Sequence, residues 1–395
     1  MARTSADASQ LPRPAVLASV GLLARIVPLA TVRAVLAGED RESQRERLLP
    51  AAFLVYLVVS LSLYMPYALR EVLRCVVEGL RQMDGRLQIA SKGAISRART
   101  RLGWKVMAKL YTEVVRPLAT PATPGAWYRE WRLMIFDGTS LALQCTPENV
   151  DAFGLPDSKE GKGAFPLLRL VGLMEAGTRA IVQAAFGEWR RAEVSLAEEL
   201  LGGLQPGMVL LEDRGFVGYG WWRQVRATGA EVLCRVRTNM RFPCHQRLTD
   251  GSFLSVLRPP KGEPGAPIRV RVIEYTLQAV PGAEPLYRLV TSLLDPEAAP
   301  AAELAALYHE RWEGETLFDE FKTHLRGGSR VLLRSKTPDL VRQEVYGLLL
   351  AHYCVRTVIH EAALAAGEDP DRISFLHTVR VLRRRLPQAA GAFSP

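Results

Sequence analysis

The sequence is poor in cysteine, and its first 118 residues are poor in acidic side chains. Its five cysteines are scattered, include no CxxC pair and are odd in number, so neither a disulfide framework nor a structural zinc site is predicted. Cys244 beside His245 is half a metal site at most, because no second pair of ligands lies at a suitable spacing. The segment MARTSADASQ has no pattern of a secretory signal peptide, so a cytoplasmic protein is expected.

Long hydrophobic runs are rare as well. The stretch from Leu48 to Leu69 carries no charge and approaches membrane-spanning length, but Pro50 and Pro66 bound its most apolar part. This part predicts a buried core helix of about 15 residues rather than a membrane span. An apolar content of 48% and a charged content of 23% are typical of a soluble globular protein, and no membrane partner is expected.

Positive charge is concentrated at the front of the chain. The 51 basic and 41 acidic side chains give a net charge of +10. Residues 1–118 contain 18 basic and 9 acidic side chains, and the difference of 9 accounts for almost all of it. An anionic partner is implied, with DNA, RNA and an anionic membrane all open on charge alone.

The same region reads as helical from about residue 15 to residue 118, because apolar residues recur at three and four positions. Its last segment begins at Ser91, which suits a helix cap. Four basic residues then follow at steps of four and predict one basic stripe on a single helix: Arg97, Arg101, Lys105 and Lys109. The stripe fits a helix that contacts DNA, and it fits a solvated charged face equally well.

The segment PLATPATPG, residues 117–125, predicts a linker because its three prolines and glycine disfavour helix and paired strand. Strands and helices then alternate as in an α/β layered domain. In WRLMIFDGTSLAL an apolar run that ends in Asp137 predicts a strand, and in MVLLEDRGF a strand is predicted to end on Asp213. Further strands are predicted at LLRLVGLMEAG and AIVQAAFGEW, with a helix from Ala192 to Leu204. Residues 231–294 are β-rich and predict an insertion, and helices return at Ala301–Leu325 and Asp339–Ala366.

Two predicted buried strands end on a carboxylate, Asp137 and Asp213, although strand ends often carry Asp for structural reasons alone. The predicted helix from Ala301 adds a third element. At ~100° per residue, four of its residues fall at roughly 0°, 300°, 340° and 320° on a helical wheel. They are Tyr308, Arg311, Glu315 and Lys322. This narrow stripe is suited to a DNA backbone, whereas a salt-bridged surface face is the bland alternative.

Three clustered carboxylates repel one another unless cations neutralise them, so a metal site is predicted at Asp137, Asp213 and Glu315. Ligand sets of oxygen alone favour Mg²⁺, with Mn²⁺ as a substitute, and two such ions can support phosphodiester displacement. Arg311 and Lys322 would then hold the flanking phosphates. Three further acids compete for these roles but lie out of phase: Glu212, Glu310 and Glu313.

At these residues the sequence resembles the DDE transposases of the insertion sequence 4 family, over roughly residues 46–385. The most specific match is Y-x2-R-x3-E-x6-K at Tyr308, Arg311, Glu315 and Lys322. The stretches DGTSLAL, LEDRGFVGY and LRSKTPDLVRQEVYGLLLAHY resemble the same family. The resemblance assigns the acid positions to Asp137, Asp213 and Glu315, and it implies a ribonuclease H-like mixed sheet with flanking helices and a β-rich insertion.

The resemblance also implies five units. They are a helical DNA-binding domain (1–120), the first part of the catalytic core (127–230), the β insertion (231–300), the second part of the core (301–366) and a tail (367–395). Arg97, Arg101 and Lys105 are then expected to contact terminal inverted repeats in double-stranded DNA.

Cut-and-paste transposition of a bacterial insertion sequence by a homodimer is implied in turn, with target DNA as a second partner and the nucleoid as its place in the cytoplasm. A hairpin intermediate would need an aromatic side chain against an unstacked base, and Trp221, Trp222 and Trp312 are candidates. A DNA-binding protein whose catalytic centre is no longer used and a nuclease without strand transfer are the alternatives.

Overall fold

A computed structural model of the chain describes residues 21–43, 49–81, 90–158, 161–237, 239–276, 284–308, 312–325 and 331–385. The described α-helices are α1 (Gly21–Ile26), α2 (Leu29–Gly38), α3 (Ala51–Leu63), α4 (Leu69–Arg81), α5 (Lys92–Leu102), α6 (Lys105–Val114), α7 (Pro147–Phe153), α8 (Glu193–Glu198), α9 (Tyr219–Ala227), α10 (Ala301–Leu307), α11 (Trp312–Asp319), α12 (Pro338–Ala366) and α13 (Phe375–Arg385). A π-helical segment, Glu320–Leu325, follows α11 directly.

The apolar run near residue 55 forms α3, which begins after Pro50 and is buried from Phe53 to Leu63, so the predicted core helix is confirmed. It packs against α12, the longest helix of the described chain. The two helices approach closely at Gly347, where a Cβ atom would lie 2.9 Å from the Val58 side chain. Glycine is therefore required for this packing. Within the described residues, no helix is both long and apolar enough to cross a membrane.

The remaining chain is built on one large mixed sheet. Its strands are β1 (Trp127–Tyr128), β2 (Trp131–Ala142), β5 (Leu167–Glu175), β6 (Ala180–Glu188), β7 (Met208–Glu212), β8 (Glu231–Arg235), β9 (Gln246–Arg247), β10 (Phe253–Leu257), β11 (Ile268–Tyr275) and β12 (Tyr287–Thr291), while β3 (Asp157–Ser158) and β4 (Gly161–Lys162) form a separate hairpin. The order is β6-β5-β2-β7-β8-β12-β11-β10-β9.

Five of these strands have the ribonuclease H-like arrangement. The meander β2-β5-β6 is antiparallel, and β7 and then β8 add to the other side of β2 in parallel. Helices α8 and α9 cover one face of this sheet, and α11 and α12 cover the other. The predicted α/β fold is therefore confirmed, and the central strands are covered on both faces.

The β-rich segment extends this sheet, because β12 pairs with β8 and the strands β11, β10 and β9 follow in antiparallel order. A boundary at residue 231 assigns β8 to the insertion, yet β8 is a parallel partner of β7 and belongs to the catalytic sheet. The sequence EVLCR forms a buried strand of the kind found in parallel sheets. Because several β segments follow it in the sequence, the sequence pattern alone does not distinguish this strand of the catalytic sheet from the strands of the insertion.

The proline-rich linker is held against the sheet rather than free of it. The amides of Leu118 and Ala119 both donate to a carboxylate oxygen of the buried Glu175, at 2.8 Å each. Glu175 also binds Arg132 of β2 and accepts from Thr178 at 2.7 Å. This fully buried carboxylate thus joins the linker to two central strands, and its charge is matched by that of Arg132.

Candidate active site

Asp137 and Asp213 lie at neighbouring positions on two parallel strands. The β2–β7 ladder ends with Ile135 opposite Leu211, and two more residues along each chain bring Asp137 opposite Asp213. Adjacent strands are ~4.8 Å apart and alternate residues share a face, so both carboxylates belong to the same face of the sheet. Contrary to the predicted strand end at Asp137, β2 continues to Ala142, because β5 pairs with it along this length.

Both carboxylates are half-buried and partly oriented by the backbone. The Oδ1 atom of Asp137 accepts a hydrogen bond from the amide of Gly138 at 2.8 Å, and Oδ1 of Asp213 accepts one from the amide of Arg214 at 2.5 Å. Two adjacent carboxylates on one face form an oxygen donor set, which fits a hard divalent cation.

The helix that carries residue 315 lies over this face. Gly172 of β5 is the ladder partner of Asp137, so its missing side chain would stand on the same face. A Cβ atom on Gly172 would lie 3.8 Å from the ring of Phe318, which is buried in α11. Residue 315 is three positions before Phe318, or about 4.5 Å along the helix axis. The fold therefore brings the backbone of Glu315 close to the two aspartates.

The side chain of Glu315 lies outside the described residues, as do those of Trp312 and Glu313 and the whole of Glu310 and Arg311. Within the described residues no group of three or more metal-binding side chains is found. Lys322 is half-buried in the π-helical segment.

The single α-helix predicted from Ala301 to Leu325 is described in parts. Within the described residues α10 ends at Leu307 and α11 begins at Trp312, while residues 309–311 lie outside them, and the turn from Glu320 is π-helical rather than α-helical. A π-helix has a wider turn than an α-helix, so the increment of 100° per residue does not hold as far as Lys322. The four-residue stripe is therefore not one straight row.

Tyr308 is positioned differently from the prediction of a DNA contact. It is 5% exposed, and its hydroxyl donates to the backbone carbonyl of Glu212 at 3.0 Å. Glu212 immediately precedes Asp213, so this hydrogen bond attaches the end of β7 to Tyr308, the residue that follows α10. A side chain with this burial has little surface for a phosphate, and its observed contact is with the strand that carries the second aspartate.

Glu212 lies on the opposite face, as the alternation along the strand predicts. It is fully buried, and its Oε1 atom accepts from the Trp221 indole at 2.6 Å. Burial raises the pKa of this carboxyl group well above its ordinary value, and the hydrogen bond from Trp221 opposes that shift. Trp221 also packs edge-on against Phe136, with ring centroids 5.7 Å apart. Glu212 therefore anchors β7 to α9 and leaves the other face to Asp213.

The hypothesis that Trp221 or Trp222 stacks on an unstacked base is not supported by their positions. The two side chains are 5% and 1% exposed, and both belong to the core under α9. Apolar packing of an amphipathic helix explains them, since α9 must cover the Phe136 face of the sheet.

The sequence interpretation missed one carboxylate near Asp137. A Cβ atom on Gly138 would lie 2.8 Å from Cδ and 2.9 Å from Oε1 of Glu193, the first residue of α8. Gly138 follows Asp137 and faces the opposite side of the sheet. The pairing of Gly138 with an acid at the start of the next helix has no periodic signal in the sequence, so only the fold reveals it.

The basic stripe of the amino-terminal region is also divided. Ser91 caps α5 by accepting the amide of Ala94 at 3.2 Å, as predicted, but α5 ends at Leu102. Gly103 has a φ of 75°, and the chain turns there before α6 begins at Lys105. Arg97 and Arg101 lie exposed on one helix and Lys105 and Lys109 on the next, so the prediction of one continuous stripe is wrong.

Comparison with known proteins agrees with this architecture. Residues 17–112 match the family model for the insertion element 4 transposase N-terminal region, and residues 130–354 match the model for the transposase DDE domain. The chain is 28% identical over 362 residues to the transposase InsG for insertion sequence element IS4 of Escherichia coli (strain K12). The aligned residues cover 90% of this chain and 80% of that protein.

More distant similarities accompany these matches. The putative transposase y4zB of Sinorhizobium fredii is 25% identical over 39% of this chain and 43% of that protein. A solved structure of a piggyBac transposase synaptic complex with hairpin DNA aligns with a TM-score of 0.47 and 13% identity, over 95% of this chain and 80% of that one.

The family models together extend over most of the chain and follow the division between the helical region and the mixed sheet. A divalent metal ion accords with the oxygen donors that the sheet presents at Asp137 and Asp213. The chain therefore belongs to the DDE transposases of the insertion sequence 4 family, which are metal-dependent enzymes that cut and join DNA.

Proposed function

We propose that Asp137, Asp213 and Glu315 are the metal-binding carboxylates of this transposase and that they hold two Mg²⁺ ions, with Mn²⁺ as a substitute. One observation carries the proposal: the β2–β7 register sets the two aspartates side by side, and Phe318 of α11 packs over Gly172, the ladder partner of Asp137. In this proposal three carboxylates, two from the sheet and one from α11, would meet on one face of the sheet.

The bound ions would activate the attacking oxygen and stabilise the leaving oxygen of a phosphodiester. The protein supplies the geometry of this reaction. Asp137 and Asp213 are oriented by their neighbouring amides, and the hydroxyl of Tyr308 holds the strand end that carries Asp213. Arg311 and Lys322 would contact the flanking phosphates, Arg by a bidentate fork and Lys as a point charge.

The substrate is the double-stranded DNA at the ends of the insertion sequence. Residues 1–120 would bind the terminal inverted repeats through Arg97, Arg101 and Lys105, and residues 127–230 and 301–366 would form the catalytic core. Water then cuts one strand, the freed 3′ hydroxyl attacks the opposite strand to give a hairpin, and the reopened end is joined to target DNA. A homodimer would hold two ends in one synaptic complex.

The test is a cleavage and strand-transfer assay with Mg²⁺ on DNA that carries the element's own ends. Glu315→Gln should bind the ends as the wild type does but cut more slowly by over ~100-fold, which exceeds the usual cost of losing a residue that only supports a ligand. Denaturing electrophoresis of the products would reveal a hairpin. Glu303→Gln in α10 is the matched control, because this half-exposed carboxylate is bound to Arg129 and Tyr128 instead.

Cutting and joining by the wild type and by Glu303→Gln alone would support the proposal. If Glu315→Gln cut as fast as the wild type, the third ligand would have been assigned wrongly. Products that are cut but never joined under Mg²⁺ or Mn²⁺ would identify a nuclease, and binding without cutting by the wild type would identify a DNA-binding protein of transposase ancestry.

A further inference from the structure

A buried cluster of charges lies at the end of α11. Glu320, the first residue of the π-helical segment, is 7% exposed, and one of its carboxylate oxygens binds the guanidinium of Arg356. The other oxygen accepts from Arg179 at 3.1 Å. Arg179 in turn binds Asp371 at 2.9 Å. Two carboxylates and two guanidinium groups balance, so the cluster is neutral.

The cluster connects four separate parts of the fold. Glu320 follows α11, Arg356 lies in the middle of α12, and Asp371 belongs to a short 3₁₀ turn, Pro370–Arg372, that precedes α13. Arg179 lies in the turn between β5 and β6, where its φ of 52° is in the left-handed region. Glu320 is therefore fixed to the sheet from one side and to the longest described helix from the other.

This attachment lies close to the proposed active site. Residue 315 is five positions before Glu320, which is about 7.5 Å along a helix axis. Phe318 lies between them and packs over Gly172, opposite Asp137. Helix α11 thus has one apolar contact with the sheet at Phe318 and one charged attachment at Glu320, and together these two contacts fix its rotation and its position along the axis.

Stability alone does not explain charges at this location. A buried ion pair is often no more stabilising than apolar side chains of the same volume, because desolvation cancels most of the attraction. Charged groups instead restrict the relative orientation of the elements that carry them, since a guanidinium binds a carboxylate in a narrow range of geometries. The π-helical turn that begins at Glu320 fits such a constraint, because π turns are uncommon and concentrate at functional sites.

We infer that Glu320 is a positioning residue for metal binding: its contacts with Arg356 and Arg179 fix α11 so that the carboxylate of residue 315 meets those of Asp137 and Asp213. The inference rests on the proposed role of Glu315 as the third ligand. Glu320 itself contacts no metal and no DNA in this assignment. Its loss weakens metal binding through the orientation of α11.

The inference is tested on the full chain bound to DNA that carries the element's ends. MnCl₂ is titrated into the complex, and free Mn²⁺ is followed by electron paramagnetic resonance, which needs no turnover. Glu320→Gln should raise the Mn²⁺ concentration at half-saturation by about 10- to 100-fold, the range seen when a residue that orients a metal ligand is lost. DNA-end binding should change less than about twofold, because that surface lies elsewhere.

Two comparisons separate orientation from general destabilisation. Asp250→Asn is the matched control, because Asp250 also pairs with a fully buried arginine, Arg271, but in the β insertion. It should leave Mn²⁺ binding unchanged. The double variant Glu320→Met/Arg356→Met removes a neutral pair, and it provides a folded protein if the single variant unfolds. It should retain the weakened Mn²⁺ binding of Glu320→Gln.

Glu315→Gln is titrated in parallel. If it weakens Mn²⁺ binding while Glu320→Gln and the double variant bind as the wild type does, the positioning role is overturned and the proposed ligand stands. If Glu315→Gln itself binds Mn²⁺ normally, the third ligand is misassigned and the inference falls with it. An equal loss in Asp250→Asn would reduce the effect to a general loss of stability and would also overturn the inference.

Discussion

At the scale of single residues, Gly138 determines how the strand of Asp137 packs. The carboxylate of Glu193 occupies the space that a side chain at position 138 would take, with contacts of 2.8 and 2.9 Å to the ideal Cβ. Contacts under 3.0 Å force something to move, and the neighbour here is the first residue of a short helix. The atoms met are those at the end of the flexible Glu193 side chain, so a side chain at position 138 would displace that carboxylate rather than the strand.

Gly138→Ala is therefore expected to slow DNA cleavage by no more than roughly 10-fold, because the Glu193 side chain can move and Asp137 is then displaced only slightly. Cleavage is measured under Mg²⁺ with saturating enzyme and with end binding recorded separately. The double variant Gly138→Ala/Glu193→Ala removes the clash and should recover most of the rate. A Glu193→Ala single variant as slow as Gly138→Ala would contradict the steric explanation.

At the scale of elements, the apolar pattern identified the main strands and helices, and the structure confirms them. β2, β7, α3 and α12 all lie where the sequence predicts them, because each has a long and regular apolar repeat. Helix interruptions were not predictable in this way. The repeat continues across Gly103, whereas the chain turns there with a φ of 75°, and the carbonyl of Gly103 accepts from the side-chain amide of Gln343 in α12 at 2.8 Å.

In the candidate site, too, some positions follow from the apolar pattern and others depend on tertiary packing. An apolar run precedes both Asp137 and Asp213 in the sequence, which is why both are candidates, and the parallel register of β2 and β7 makes them neighbours. Tyr308 could not be assigned from helical phase, since the wheel assumes one helix where the structure has α10, α11 and a π-helical turn. Its burial and its bond with Glu212 follow from tertiary packing alone.

Tyr308→Phe provides a test of this element junction. The variant keeps the ring but loses the hydroxyl that holds the end of β7, which costs about 1 kcal/mol or somewhat more for a buried carbonyl left unpaired. Cleavage should fall several-fold, while end binding and its salt dependence should stay at wild-type values. A fall in end binding with unchanged cleavage at saturation would instead return Tyr308 to the role of a DNA contact.

At the scale of the whole molecule, the helical region and the catalytic sheet share one continuous core. Helix α3 packs on α12, α12 packs on β6, and the linker is bound to Glu175. The basic residues of α5 and α6 are thus held in a fixed relation to Asp137 and Asp213. DNA bound along the two helices would also be held at a fixed position relative to the carboxylates.

This arrangement makes DNA-end binding dependent on salt in a predictable way. Arg97 and Arg101 are exposed on α5 and Lys105 on α6, and each phosphate contact contributes about 0.9 to the slope of log affinity against log salt. Gly103 separates the two helices, so their contributions should be additive. The double variant Arg97→Gln/Arg101→Gln should lower the slope by up to roughly 1.8, and Lys105→Gln should lower it by up to roughly 0.9. Lys109→Gln is the control, since Lys109 is already paired with Glu113 at 2.9 Å and should change the slope less. An unchanged slope in the triple variant, measured by fluorescence anisotropy between low and physiological salt, would show that DNA binds another face of the molecule.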